Sequence, residues 1–104
     1  MPKFMFIYHG GGRPETPEEG EQVMAAWTKW MEGIGEDLVD GGNPAGMSKT
    51  VTVHGVAHDG GANPVSGYTL VNAADMDAAC EIAKGCPILE HGLGTVEVAE
   101  AMEM

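Results

Sequence analysis

Basic side chains are scarce in this sequence, and their scarcity excludes several classes of partner. Its 104 residues include 5 lysines and arginines against 16 aspartates and glutamates, a formal net charge of −11 with the histidines neutral. A surface this acidic repels phosphate backbones and anionic lipids. We therefore expect neither nucleic acid nor a membrane surface to be a partner of this protein.

Long hydrophobic runs are missing, and cysteines are few. No stretch approaches the roughly 18 consecutive apolar residues of a membrane span, and residues 4–8 are too short for a signal-peptide core. The two cysteines, Cys80 and Cys86, would lie about 9 Å apart along one helix, which is too far for a disulfide. We expect one domain spanning residues 1–104, located in the reducing cytoplasm.

Apolar periodicity predicts four strands and two helices. Thr16, Pro17 and Glu19 form a capping box with proline at the first helical position, so the first helix begins there and is expected to end between residues 32 and 39. Asp75 is expected to cap the second helix. The strands are expected at residues 3–9, 50–54, 67–73 and 94–99, with loops at residues 40–44 and 58–64.

This order of elements, β-α-β-β-α-β, predicts an α+β sandwich of the ferredoxin-like type. An antiparallel sheet of four strands would carry both helices on one face. The first strand is apolar on both sides, with Phe4, Phe6 and Tyr8 on one face and Met5 and Ile7 on the other. Because the helices cover one face only, the other set would meet water, and an exposed apolar patch usually marks a partner. We expect a homodimer formed through the sheets.

Several segments spread over the chain resemble the YCII-related family, whose members are also called DGPF-domain proteins. They are KFMFIY at residues 3–8, LVDGGNP at 38–44, GYTLV at 67–71, DMDAA at 75–79, AKGCP at 83–87, EHG at 90–92 and GTVEV at 94–98. The resemblance implies a ferredoxin-like protomer that pairs into a dimeric α/β barrel. Enzyme-like members are associated with a His–Asp pair whose histidine lies on the first helix. Here residues 17–40 contain no histidine, and the Asp-Gly-Pro-Phe signature is reduced to Asp-Gly-Gly at residues 59–61.

Three functions of different classes stay open. The first is a small-molecule-binding homodimer with no established chemistry, and the second is a cofactor-free acid–base enzyme of the isomerase or lyase kind. The third is a regulatory or interaction protein that acts through its acidic surface. For the enzyme, the candidate catalytic residues are His9, His91 and Asp40, because histidine titrates near neutral pH and His9 adjoins a triple-glycine run. A histidine that simply faces solvent is the alternative.

Aromatic residues supply the candidate ligand-binding site. It comprises Tyr8, Trp27, Trp30 and Tyr68, which would line a pocket between the first helix and the sheet, unless they serve as core or dimer surface. The acidic surface favours a neutral or cationic ligand. No metal and no cofactor are expected, because the histidines at 54 and 58 lack further ligands and the glycine run lacks the context of a nucleotide site.

Overall fold

The computed structural model describes all of residues 1–104, and its two α-helices lie where the sequence predicts them. The elements in chain order are β1 (Lys3–Gly10), α1 (Pro17–Ile34), β2 (Leu38–Asp40), β3 (Thr50–Thr52), β4 (Gly55–Ala57), β5 (Val65–Asn72), α2 (Met76–Ala83) and β6 (Gly94–Glu100). Turns of 3-10 helix follow each α-helix, at Gly35–Asp37 and Pro87–Gly92.

Four of the strands form one antiparallel sheet in the order β2-β5-β1-β6. β1 is central, as its two apolar faces predict, and it pairs with β5 on one side and β6 on the other. This is the strand order of the ferredoxin-like α+β sandwich, so the predicted fold class is confirmed. No helix is both long enough and apolar enough to cross a membrane.

The predicted second strand at residues 50–54 is wrong as a member of this sheet. Leu38–Asp40 occupies that edge position and pairs with β5. Its last residue, Asp40, therefore lies in a strand, although the sequence predicts a loop at residues 40–44. Thr50–Thr52 instead pairs with Gly55–Ala57 in a separate two-stranded hairpin. The alternation in residues 50–54 correctly indicates a strand, but that strand pairs with the segment just beyond the turn. Leu38–Asp40 was not predicted as a strand because three residues are too few to show a periodic pattern.

Both helices begin at the residues whose side chains cap them. The Thr16 hydroxyl accepts the backbone N–H of Glu19, and the Asp75 carboxylate accepts that of Ala78. Each cap satisfies an N–H that the first helical turn leaves without a partner. α1 ends at Gly35, whose φ of 67° lies in the left-handed region that glycine tolerates.

The core lies between the sheet and the helices, on the face of β1 that carries Phe4, Phe6 and Tyr8. These three side chains are at most 4% exposed, whereas Met5 and Ile7 on the opposite face are only half-buried. The other fully buried apolar members of the core are Val71, Ala73, Ala79, Ala83 and Cys86. The helices therefore cover the phenylalanine face, and the opposite face of the sheet carries no helix.

Candidate functional site

A chain of buried hydrogen bonds crosses the sheet beneath α1. The Tyr8 hydroxyl donates to Thr69 Oγ1 at 2.6 Å, and Thr69 Oγ1 donates to the carbonyl oxygen of Gly41 at 3.0 Å. Thr69 is fully buried and Tyr8 is 4% exposed. Because the Thr69 hydroxyl donates its single proton to the Gly41 carbonyl, it acts as the acceptor for the Tyr8 hydroxyl. We call Tyr8, Thr69 and Gly41 the hydroxyl chain.

Two tryptophans of α1 cover the hydroxyl chain. The Trp27 ring meets Tyr8 edge-on with centroids 5.2 Å apart, and it meets Trp30 edge-on at 5.7 Å. Trp30 in turn stacks on Phe6 at 6.2 Å and donates its indole N–H to the Ile82 carbonyl at 3.1 Å. The two rings lie one helical turn apart, so both point at the sheet and form an aromatic wall.

The ionisable groups at this site stay neutral. Burial raises the pKa of the Tyr8 phenol above its ordinary value, and burial likewise raises the pKa of the neighbouring Cys86 thiol. Neither side chain is therefore poised to act as an anionic nucleophile near pH 7. The site offers neutral hydrogen-bonding groups and aromatic surface.

A glycine turn after β2 places the acceptor at the end of the hydroxyl chain. Asp40 Oδ1 accepts the backbone N–H of Gly42 at 2.8 Å, which closes the turn locally. Gly42 has a φ of 74°, and a Cβ built there would lie 1.7 Å from the Tyr68 carbonyl oxygen. Only glycine fits, and the close approach positions the Gly41 carbonyl beside Thr69.

His9 lies on the opposite face of the sheet from Tyr8. Its Nε2 is 3.0 Å from Glu97 Oε1, and its Nδ1 is 3.0 Å and 3.3 Å from the carbonyl oxygens of Asn63 and Pro64. Every partner is an acceptor, so the surroundings favour the imidazolium form, in which both ring nitrogens donate. The Glu97 hydrogen bond raises the pKa of His9 accordingly. In this structure the imidazole has no free nitrogen with which to accept a substrate proton.

The structure brings three of the seven predicted site residues together. Tyr8, Trp27 and Trp30 form one cluster, whereas Tyr68 lies beside Ile7 on the helix-free face and is 37% exposed. The other three are His9 on that same face, Asp40 at the end of β2, and His91, which is exposed after α2 with a φ of 61°.

Sequence reasoning missed Thr69, Cys86 and Glu97. A signal for Thr69 was present, because it alternates with the apolar Val71 and therefore shares its face. No sequence signal points to Cys86, which reaches Tyr8 through the turn that follows α2. Glu97 meets His9 only through the register of β6 on β1.

An open groove with a volume of about 400 Å³ runs between α1 and α2. Trp30, Ile34 and Ile82 form its apolar lining, and Lys29 stands at its edge. A second groove of about 190 Å³ lies between α2 and β6. No three His, Cys, Asp or Glu side chains lie close enough together to hold a metal ion.

Comparisons with known proteins support the fold. No protein-family model matches this chain, and no curated protein is significantly similar to it in sequence. Among solved structures, it is similar to the 5-chloro-2-hydroxyhydroquinone dehydrochlorinase TftG of Burkholderia phenoliruptrix, determined in complex with 2,5-dihydroxybenzoquinone. The TM-score is 0.57 at 16% sequence identity, and the match covers 96% of this chain and 95% of that chain. At this identity the likeness shows a shared fold.

Proposed function

We propose that this protein is a small-molecule-binding homodimer of the YCII-related kind, whose ligand site is the hydroxyl chain beneath Trp27 and Trp30. One observation carries the proposal. The Tyr8 and Thr69 hydroxyls meet inside the core, under an aromatic wall and beside a glycine turn. Ligand sites are typically apolar with a few convergent polar groups, and this is where such groups converge in the helix layer.

The chemistry of the cluster selects a neutral, planar ligand of about one ring. Tyr8 remains a neutral phenol because burial raises its pKa, so it can exchange its bond to Thr69 for one to a ligand hydroxyl or carbonyl. The two tryptophans present ring edges and faces to an aromatic ring. A net charge of −11 opposes the approach of anions.

Access to the cluster is through α1. No residue of α1 is fully buried, so the helix rests on the sheet through partly buried side chains. A small outward shift of α1 separates Trp27 from Tyr8 and leaves the sheet intact. The open groove between α1 and α2 reaches Trp30, which belongs to the aromatic wall.

Two further observations support this function over the alternatives. TftG, which shares the fold, was solved with a hydroxylated quinone ring, so the fold accommodates ligands of that size. His9 is saturated by acceptors on both ring nitrogens, which favours binding over acid–base catalysis at that residue. Pairing of two copies through the helix-free face of the sheet would cover Met5 and Ile7.

The test is calorimetric titration with hydroquinone, a neutral planar ring with two hydroxyls, under anaerobic conditions. We expect binding that weakens about tenfold in Tyr8→Phe, which removes one hydrogen bond from the site. Tyr68→Phe is the matched control, because it makes the same change on the opposite face and should leave the affinity unchanged. The anionic 2,5-dihydroxybenzoate should bind more weakly than hydroquinone.

Either of two results would overturn this site. The first is the absence of hydroquinone binding to the wild type, and the second is equal affinity of wild type and Tyr8→Phe. Sedimentation equilibrium tests the homodimer separately, and a mass of one chain at micromolar concentration would remove that part of the proposal.

A further inference from the structure

The β3–β4 hairpin carries a row of valines that nothing in its own chain covers. Val51, Val53 and Val56 are 75%, 96% and 53% exposed. Val51 and Val56 pair directly across the hairpin, so their side chains share one face. We call residues 47–58 the arm, and we call the side chains of Val51 and Val56, together with Val53 in the adjoining turn, its valine face.

The arm projects from the body of the molecule, and all of its residues except Ser48 are exposed. The radius of gyration is 14.8 Å, against about 13 Å for a compact domain of this length. At the base, the Thr50 hydroxyl donates to the Asp59 carbonyl oxygen at 2.8 Å. A lone two-stranded hairpin is marginally stable in water, so a valine face in this position calls for a partner.

The charge distribution indicates which partner the arm fits. All 16 acidic residues lie outside residues 41–58, a stretch that contains Lys49, His54 and His58. Two copies of a chain with net charge −11 repel each other wherever acidic surfaces meet. The arm is a surface that a second copy can approach without that repulsion.

The helix-free face of the central strands is also largely apolar. It presents Met5, Ile7, Tyr68 and Leu70, of which Tyr68 is 37% exposed and the other three are half-buried. Neither β1 nor β5 contains an aspartate or glutamate. We call these four side chains the open face.

We propose that the valine face of each arm lies on the open face of a second copy of this chain, so that two arms clasp the dimer reciprocally. This inference rests on the homodimer of the proposed function and specifies what holds it together. Both surfaces of this contact are largely apolar, and the arm itself contains no acidic side chain. Two acidic residues pair with the open face in the sheet, Glu97 opposite Ile7 and Asp40 opposite Leu70. Each already has a hydrogen-bond partner in its own chain, because Glu97 pairs with His9 and Asp40 accepts the backbone N–H of Gly42. In a two-fold dimer the contact occurs twice, so each arm valine contributes twice.

The first experiment measures the dimer dissociation constant by sedimentation equilibrium. The double variant Val51→Thr with Val56→Thr keeps side-chain shape and strand propensity but removes the apolar contact. We expect its dissociation constant to rise at least about tenfold over the wild type. Val23→Thr, which changes an exposed valine on α1, is the control and should leave the constant unchanged.

The second experiment locates the contact. A photoreactive benzoylphenylalanine replaces Val53 at the tip of the arm, and the cross-linked dimer is digested and sequenced by mass spectrometry. We expect intermolecular cross-links to peptides that contain β1 or β5. Cross-links confined to α1 or α2 of the second copy would overturn the proposed docking surface.

The outcomes separate this inference from the function on which it rests. A monomeric wild type would remove the homodimer and the arm contact together. A dimeric wild type whose dissociation constant is the same in the double valine variant would leave the homodimer standing and eliminate the arm as its clasp. Circular dichroism of each variant confirms that the sheet is retained.

Discussion

The two helices cover the same face of the sheet in different ways. α2 has eight residues and presents Ala79 and Ala83, which are 0% and 6% exposed, so its backbone lies close to the strands. α1 has 18 residues, none fully buried, and meets the sheet through Trp27, Trp30 and Ile34. Small side chains permit close packing, whereas large rings hold a helix away from the strands.

The spacing decides where polar groups are tolerated. The buried residues of α2 are both alanines, whose side chains form no hydrogen bonds. Beneath α1 the tryptophans keep the helix far enough from β1 and β5 for the Tyr8 and Thr69 hydroxyls to meet. The short helix α2 packs through alanines and stabilises the fold, whereas the longer helix α1 packs through tryptophans and covers the candidate site.

Removing one aromatic support should have the largest effect. Trp30→Ala deletes the stacking on Phe6 and the hydrogen bond to Ile82 that joins α1 to α2. We expect the free energy of unfolding in urea to fall by about 3 kcal/mol, as for other large-to-small core substitutions. Thr28→Ala, on the exposed side of the same helix, should change it by less than about 0.5 kcal/mol. If Trp30→Ala lowered the free energy of unfolding no more than Thr28→Ala does, the packing of α1 on the sheet would not depend on Trp30.

Enlarging a small contact residue of α2 should have the next largest effect. Ala79→Leu inserts three carbons where the side chain is fully buried, and overpacking of this kind costs about 2 kcal/mol. Ala25→Leu makes the same change at an exposed position of α1 and should be close to neutral. If the two substitutions destabilised equally, the contrast between the helices would be disproved.

Breaking the hydroxyl chain without changing its shape should have a smaller effect. Thr69→Val leaves the Tyr8 hydroxyl without its acceptor and the Gly41 carbonyl without its donor, at an expected cost of about 1.5 kcal/mol. Thr95→Val, at an exposed position of β6, is the matched control. Thermal unfolding that is indistinguishable between Thr69→Val and wild type would show that the chain contributes nothing to stability.

The smallest expected effect is a pH dependence of the free energy of unfolding. It should arise outside both helices, since neither contains a histidine. The hydrogen bond to Glu97 raises the pKa of His9 above its ordinary value of about 6.5. Protonated His9 therefore stabilises the fold fully at a pH below about 6.5, and this stabilisation is lost as the pH rises through the raised pKa. The stability difference between wild type and His9→Gln should therefore shrink from pH about 5.5 to about 8.5.

Two controls accompany the pH measurement. Glu97→Gln should remove the same pH dependence, because the carboxylate is the principal cause of the raised pKa of His9. His91→Gln replaces an exposed histidine whose ring forms no hydrogen bond, so the difference between this variant and wild type should not depend on the ion pair of His9. A constant difference between wild type and His9→Gln across this range would contradict the ion pair.

Much of the fold is predictable from short-range patterns. The Thr16 and Asp75 caps determine where both helices begin, because each side chain satisfies an N–H three residues away. The alternation in β1 identifies a strand apolar on both faces and therefore central. The second sheet strand was not predictable, since Leu38–Asp40 has three residues and its pairing depends on β5, about 30 residues along the chain.

The candidate site was predictable in part, for the same physical reason. The sequence predicts Tyr8 and Trp27 as candidates because both are aromatic and face the space between the first helix and the sheet, with core or dimer surface as the alternative role. Thr69 and Cys86 were not predicted, because a hydroxyl or thiol becomes a site residue only through what it meets. His9 follows Tyr8 in β1 but lies on the other face of the sheet, because adjacent residues of a strand point to opposite faces.

The sequence by itself determined the α+β class, the two helices, the central strand and an acidic surface free of basic patches. These follow from local capping, periodicity and composition, which act within a few residues. The tertiary structure alone decided which face of β1 the helices cover, which acceptors surround His9, and that β3 and β4 form a hairpin outside the main sheet. Those outcomes depend on strand register and on packing between segments distant in the chain, and no local pattern encodes either.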